Sequence, residues 1–114
     1  MQESISLRTV TFATATTGDM SGNLTSDTIK VPYRDTGLAI QCYWTGSPEG
    51  LLDLQYSLDD TNWTTHGGST VKVQGGADNF IYEFLGTAVP YYRLRWRYSP
   101  ASTGTLNARA YTKG

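Results

Sequence analysis

The segment Leu51-Leu-Asp-Leu-Gln-Tyr-Ser-Leu-Asp-Asp-Thr-Asn-Trp63 constrains the fold more than any other part of the chain. Leu52, Leu54, Tyr56 and Leu58 alternate with Asp53, Gln55 and Ser57, and a period of two puts the two sets on opposite faces of a strand. Asp59-Asp60-Thr61-Asn62 then reads as a turn, with Trp63 opening the return. An apolar face backed by a polar one is how a half-buried antiparallel sheet reads.

The same period recurs along the chain. Leu38, Ile40, Cys42 and Trp44 oppose Ala39, Gln41 and Tyr43. Tyr92, Leu94, Trp96 and Tyr98 oppose Tyr91, Arg93, Arg95 and Arg97, and Leu106, Ala108 and Ala110 oppose Asn107, Arg109, Tyr111 and Lys113. Together these faces predict an inter-sheet core in which Trp44, Trp63 and Trp96 are the largest fillers. No segment sustains a helical period. Strands are expected at roughly 4–14, 27–33, 37–45, 51–58, 69–74, 79–85, 91–98 and 105–112, separated by turn-rich segments such as Gly46-Ser-Pro-Glu-Gly50 and Gly75-Gly-Ala-Asp78. The fold class that follows is all-β: an antiparallel β-sandwich of about eight strands, jelly-roll-like or immunoglobulin-like. In the first strand Ile5 and Leu7 have one parity and Val10 and Phe12 the other, as a bulge or a change of sheet would produce. At 114 residues the chain is one domain and can bury a core without a metal or disulfide. Residues 25–114 are read as the sandwich and residues 1–24 as an N-terminal arm carrying the first strand.

Composition narrows function by exclusion. The net charge of −1 argues against a dedicated nucleic-acid binder. A single cysteine, Cys42, excludes an internal disulfide and a cysteine-based zinc site, and a single histidine, His66, excludes a His-rich metal site. Cys42 falls on an apolar face, where a thiol behaves as a small hydrophobe, and His66 sits in the turn-like Thr64-Thr-His-Gly-Gly68. No catalytic residues, metal ligands or cofactor are assigned. Asp53, Asp78 and Glu83 have no spacing that singles out a catalytic pair. Asp59, Asp60 and Asn62 have oxygens suited to calcium, but the spacing of a calcium loop is absent, and a turn accounts for them. Gly75-Gly76 is not followed by a basic helix of the phosphate-binding kind. The start of the chain lacks the charged and apolar regions of a signal peptide, and no apolar run is long enough for a membrane helix. Asn23-Leu-Thr and Asn62-Trp-Thr read as turn residues rather than glycosylation sites.

The strongest polar constellation is Arg93, Arg95, Arg97, Arg109 and Lys113. If residues 99–104 form a tight turn, the last two strands make a hairpin and all five cations share a face. Like charges facing one another destabilise a sheet, so the cluster needs counter-charges from Asp53, Glu83 or a partner. Bidentate arginine–carboxylate pairing favours an acidic protein neighbour. Trp63, Tyr91 and Tyr111 are the aromatics offered to a sugar or a partner surface.

The series Thr25-Ser-Asp-Thr-Ile-Lys-Val31, Ala39-Ile-Gln-Cys-Tyr-Trp-Thr-Gly46, Gly50 to Trp63, Tyr91-Tyr-Arg-Leu-Arg-Trp-Arg-Tyr98 and Gly104-Thr-Leu-Asn-Ala-Arg-Ala-Tyr111 resembles small β-sandwich virion proteins of tailed bacteriophages and prophages. In that family a strand commonly ends in Ser-x-Asp-Gly-x-x-Asn-Trp, and a final Gly-Thr-Leu hairpin closes the sheet. Here Asp60 replaces the usual glycine. The resemblance covers roughly residues 25–113. It implies a non-enzymatic structural protein located in the virion, as capsid decoration or a head–tail accessory. The implied partners are itself, as a homo-oligomer such as a trimer, and other virion proteins such as the major capsid protein. The arm 1–24 is then expected to reach a neighbouring subunit. The alternative is a carbohydrate-binding module or adhesin that takes surface glycans on exposed aromatics. A membrane partner is not expected.

Overall fold

The computed structural model describes residues 6–12 and 18–113. Ten strands follow one another: β1 (Ser6–Val10), β2 (Leu24–Thr25), β3 (Ile29–Lys30), β4 (Gly37–Thr45), β5 (Glu49–Ser57), β6 (Thr64–Thr65), β7 (Val71–Gln74), β8 (Asp78–Phe84), β9 (Tyr91–Tyr98) and β10 (Thr105–Lys113). The alternating segments became the long strands β4, β5, β9 and β10, because each has an apolar side to bury and a polar side to solvate.

The strands form two antiparallel sheets packed face to face. The first has the order β1-β10-β4-β8. In the second, β9 and β5 lie side by side, with β2 and β3 along the outer edge of β9 and β6 and β7 along that of β5. Each of these edge pairs is an interrupted strand. On the β5 side, Thr65 faces Gln55 and Val71 faces Leu52, so residues 66–70 span only residues 53–54 of the partner. The buried Ser69 plugs this gap, its Oγ accepting from the Leu54 amide at 3.1 Å and donating to the His66 carbonyl at 2.7 Å. On the β9 side, Ser26 bonds Leu94 in a similar break, its amide donating to the Leu94 carbonyl and its hydroxyl accepting from the Leu94 amide. When each edge pair counts as one strand, first pairs with last in one sheet and the chain crosses repeatedly to the other. This is the jelly-roll order, and it decides against the immunoglobulin order, in which the first two strands are neighbours.

Between the sheets lie Val10, Leu38, Ile40, Cys42, Trp44, Tyr82, Leu106, Ala108 and Ala110 from the first, and Leu24, Ile29, Leu52, Leu54, Val73, Tyr92, Leu94 and Trp96 from the second. Tyr82 spans the gap between the layers, its hydroxyl donating to the Ser69 carbonyl at 2.8 Å, and the Trp96 indole donates to the Met20 carbonyl at 3.1 Å. Three expected core residues are not in the core. Leu58 lies beyond the end of β5 and is 74% exposed, Tyr98 at the end of β9 is exposed, and Trp63 is half-buried outside the sandwich.

The start of the chain does change sheets. Val10 pairs with Ala108 in the first sheet, and two residues on Phe12 bridges Ser26 at the edge of the second. Ile5 lies outside the described residues, as do residues 13–17. Residues 1–4 lie outside them too, and the described part of the expected arm belongs to the sandwich: β1 pairs with β10 along its length, and Met20 is fully buried. These described pieces pack on their own chain.

A second correction concerns the end of the chain. β9 and β10 do not form a hairpin: β9 pairs with β5 in the second sheet, and β10 pairs with β1 and β4 in the first. Residues 99–104 carry the chain from one sheet to the other, with the Ser99 amide on the Glu49 carbonyl at 2.8 Å and the buried Ser102 hydroxyl accepting from the Glu49 amide at 2.9 Å. The crossing closes on Gly104, whose φ is 109° and whose added Cβ would sit 2.0 Å from the Thr45 carbonyl oxygen. Gly104→Ala is therefore expected to cost about 2 kcal/mol or more. Urea unfolding of the two proteins measures this, and a loss below ~0.5 kcal/mol, the scale of a neutral surface change, would contradict the crossing geometry.

Candidate functional site

The outward sides of β9 and β5 meet in register. Arg97 lies opposite Leu51, Arg95 opposite Asp53, Arg93 opposite Gln55 and Tyr91 opposite Ser57. Neighbouring arginines on this row are roughly 7 Å apart along the strand. Asp53 points away from the core, yet it is fully buried. Its cover is the arginine row. Arg95 grips it bidentately, Nε to Oδ1 at 3.0 Å and Nη2 to Oδ2 at 2.9 Å, and Arg97 Nη2 reaches Oδ2 at 2.7 Å. Arg95 also donates to the Thr65 hydroxyl at 3.2 Å. Gln55, buried beside Asp53, accepts from Arg93 Nε at 2.8 Å, and the Arg93 guanidinium lies 4.3 Å from the centre of the Trp63 ring.

Each guanidinium is thus fixed from below while part of it stays open to solvent; the Arg95 and Arg97 side chains are 27% and 44% exposed. The hydrogen bonds to Asp53 raise the pKa of Arg95 despite some burial. Arg93 is shifted down, first by burial and then by the like charge of Arg95, with Asp60 opposing. Arg95 and Arg97 share one buried carboxylate, Arg93 rests on Gln55, and Lys30 and Lys72 extend the positive row from the strands on either side. Such an array presents forked N–H donors, held in place in advance, to carboxylates or other oxyanions.

The expected five-cation cluster divides. Arg93, Arg95 and Arg97 come together here, whereas Arg109 and Lys113 lie on the outer face of the first sheet, on the far side of the sandwich. Asp53 is the counter-charge that the arginines needed, and Glu83 is not, being on the first sheet as well. The aromatics divide likewise. Trp63 and Tyr91 belong to the second-sheet side and Tyr111 to the first-sheet face, so no single groove contains all three. Gln55 and Thr65 were not anticipated. Gln55 was visible as the neighbour of Asp53 on the polar side of one strand, but its partner Arg93 depends on register between strands.

The remaining candidates have structural roles. Cys42 is fully buried, and burial pushes its thiol pKa up to about 12, so it is not a nucleophile in the folded chain. The His66 ring packs between Tyr56 and Phe84, at 4.8 and 4.9 Å between ring centres. The Asp59 carboxylate is turned onto its own turn, with Oδ1 taking the Thr61 and Asn62 amides at 3.0 and 2.8 Å and Oδ2 the Asn62 side-chain amide at 2.7 Å. Asp60 adopts φ 61°, the conformation a glycine would take at this position, and its carboxylate accepts from the Thr28 hydroxyl at 2.7 Å. These carboxylates close a turn rather than face a shared cation. Beside the turn is a cleft of about 470 Å³ walled by Tyr56, Leu58 and Val89, at whose rim Asp59 and the Asn62 amide are already engaged.

No family model and no curated protein matches the chain. A solved structure described as "CBM4 structure and function" is similar with a TM-score of 0.46 and 13% identity over 80% of this chain. The chain spans 58% of the length of that structure.

Two outcomes test this description. Asp53→Ala leaves Arg95 and Arg97 without their shared acceptor, and the expected loss is about 2–3 kcal/mol, less than for a fully enclosed pair because the arginines still reach water. Urea unfolding measures it, and an unchanged midpoint would mean that the ion pairs do not hold the face. For Asp59, the Asn62 amide and side chain, then the Thr61 amide and Ser57 hydroxyl, stabilise the ionised form and lower its pKa. Its contribution is therefore complete above the ordinary aspartate value of about 4 and fades as pH falls towards the lowered native value. The difference in melting temperature between the wild type and Asp59→Ala should be constant from pH 7 to 5 and shrink below about pH 4. A difference that grows on acidification would contradict it.

Proposed function

We propose that this chain is a non-enzymatic structural protein of a phage virion. It assembles as a homo-oligomer and docks the outer face of its second sheet on an acidic surface of another virion protein, such as the major capsid protein. The observation that carries the reading is the guanidinium row of Arg93, Arg95 and Arg97, seated on the buried Asp53 and Gln55 and facing outward from a chain whose net charge is −1. A chain that is slightly acidic overall but cationic on one rigid face is suited to docking in a fixed orientation. The resemblance of residues 25–113 to phage virion sandwiches supplies the setting. The non-enzymatic part of the reading rests on Cys42, sealed in the core, and on His66, packed between aromatic rings.

Glycan recognition is the second reading. It draws on Trp63 and Tyr91 on the same side of the sandwich, although one face of the Trp63 ring is covered by Arg93. The two readings respond differently to salt. Charge-led docking weakens steeply as ionic strength rises, and aromatic stacking on a sugar does not.

The test uses virion particles encoded by the same genome but lacking this protein. Wild-type protein should co-sediment with them, and Arg93→Ala/Arg97→Ala should bind about tenfold or more weakly, with the wild-type interaction falling between roughly 50 and 500 mM salt. Binding to a glycan array that survives high salt, together with no binding to particles, would overturn the virion reading in favour of the adhesin.

A further inference from the structure

The outer face of the first sheet differs in character from the arginine face. Across it, Leu7, Tyr111, Ala39 and Glu83 form one row on β1, β10, β4 and β8. One step towards the end of the sheet, Lys113 stands opposite Gly37, and Leu85 follows Glu83 beyond the end of β8. The central strand therefore carries only small residues here, Gly37 and Ala39, between the larger flanks of Tyr111 on one side and Leu85 on the other. The result is a hollow of about 80 Å³ with Tyr111 and Lys113 along one rim and Glu83 and Leu85 along the other. Leu7, Ile81 and Leu85 are 54%, 54% and 84% exposed, so three of the most exposed large hydrophobic side chains belong to this face.

We propose that this hollow is a two-fold interface at which a second copy of the chain packs face to face. Three features indicate a copy rather than another partner. The hollow is self-complementary in shape, because a wall of Tyr111 or Leu85 fits over the Gly37–Ala39 floor of the other subunit. It is also self-complementary in charge. Lys113 and Glu83 stand on opposite rims two residues apart in level, and a two-fold axis in the plane of the interface, inclined to the central strand, brings each Lys113 to the partner's Glu83, making the same ion pair twice. In addition, exposed apolar side chains lie at both sides of this face, Leu7 on β1 and Ile81 on β8 with Leu85 beyond it, so a second copy of the sheet spans the breadth that sheet-on-sheet packing uses. The proposal rests on the self-assembly part of the function proposed above and specifies it. The unit is a two-fold pair in place of the expected trimer, and the arginine faces point outward on both sides of it, free to dock.

The two charges give a test that a nonspecific apolar contact would not pass. Both residues are exposed on the outer face, so Glu83→Lys and Lys113→Glu leave the core untouched, and circular dichroism and thermal melts verify that each variant folds. Sedimentation equilibrium of the full chain is expected to give a reversible dimer for the wild type. Each single variant puts like charges together twice and should dissociate at about tenfold or more higher concentration. Mixing the two variants restores both pairs. The lysine introduced in one variant then meets the glutamate introduced in the other, the native Lys113 of the first meets the native Glu83 of the second, and a heterodimer should reappear. A wild type that oligomerises while both variants keep its affinity would overturn the hollow as the interface and leave self-assembly standing. A wild type that stays monomeric up to the highest soluble concentration would overturn self-assembly and the interface together. Co-sedimentation of that monomer with particles would still distinguish the docking role.

Discussion

Asp53 is a carboxylate on the outer side of a sheet that water does not reach. β9 must lie at the centre of the second sheet, because Tyr92, Leu94 and Trp96 are fully or nearly fully buried between the layers. That position forces Arg93, Arg95 and Arg97 into a single row on the other side. Three like charges at strand spacing would repel one another and loosen the strand that supplies the core. Asp53, in register with the middle arginine, removes the conflict for two of them, and Gln55 with Trp63 holds the third. The core and the outer face are therefore two sides of one requirement. The strand can bury its aromatics only because its arginines are tied down.

The two outer faces divide the surface chemistry. The second sheet shows cations fixed from below by buried polar groups, an arrangement that costs little reordering when an anionic surface arrives. The first sheet shows a shallow apolar hollow with one charge of each sign at its rims. Both faces are built on the long central strands rather than on loops, so their side chains stand in fixed positions.

Much of this was legible in the sequence, and what was not has a common cause. Alternation in β4, β5, β9 and β10 identified the inward side chains, and the parity change between Leu7 and Val10 anticipated the crossing from one sheet to the other near Phe12. Leu58 and Trp63 were misread because alternation says which way a side chain points but not where the sheet ends. The hairpin of β9 and β10 was misread for a related reason. Pro100-Ala-Ser-Thr-Gly104 is as good a turn as it is a crossover, and the choice depends on Ser102 and Glu49, which are far apart in sequence. The arginine cluster was therefore half right: three members share a strand, and the other two needed knowledge of pairing. The interrupted edge strands were hidden because nothing local marks Ser26 and Ser69 as residues whose side chains replace a missing backbone partner on a strand distant in sequence.

The pairing of β1 with β10 has a consequence for how the molecule is made. Ser6 stands opposite Thr112, so β1 is synthesised well before its neighbour β10 and waits for all the strands between them. β4 waits too, since it lies between β10 and β8. Until then the apolar sides of the first sheet have no complete layer to cover. Contacts so distant in sequence favour slow closure and leave unpaired strand edges open to other nascent copies. The same adjacency brings the two ends of the sandwich together, so a circularly permuted chain joined near Ser6 and Thr112 and opened at an exposed turn such as Gly75-Gly76 would reorder this wait without changing the final fold.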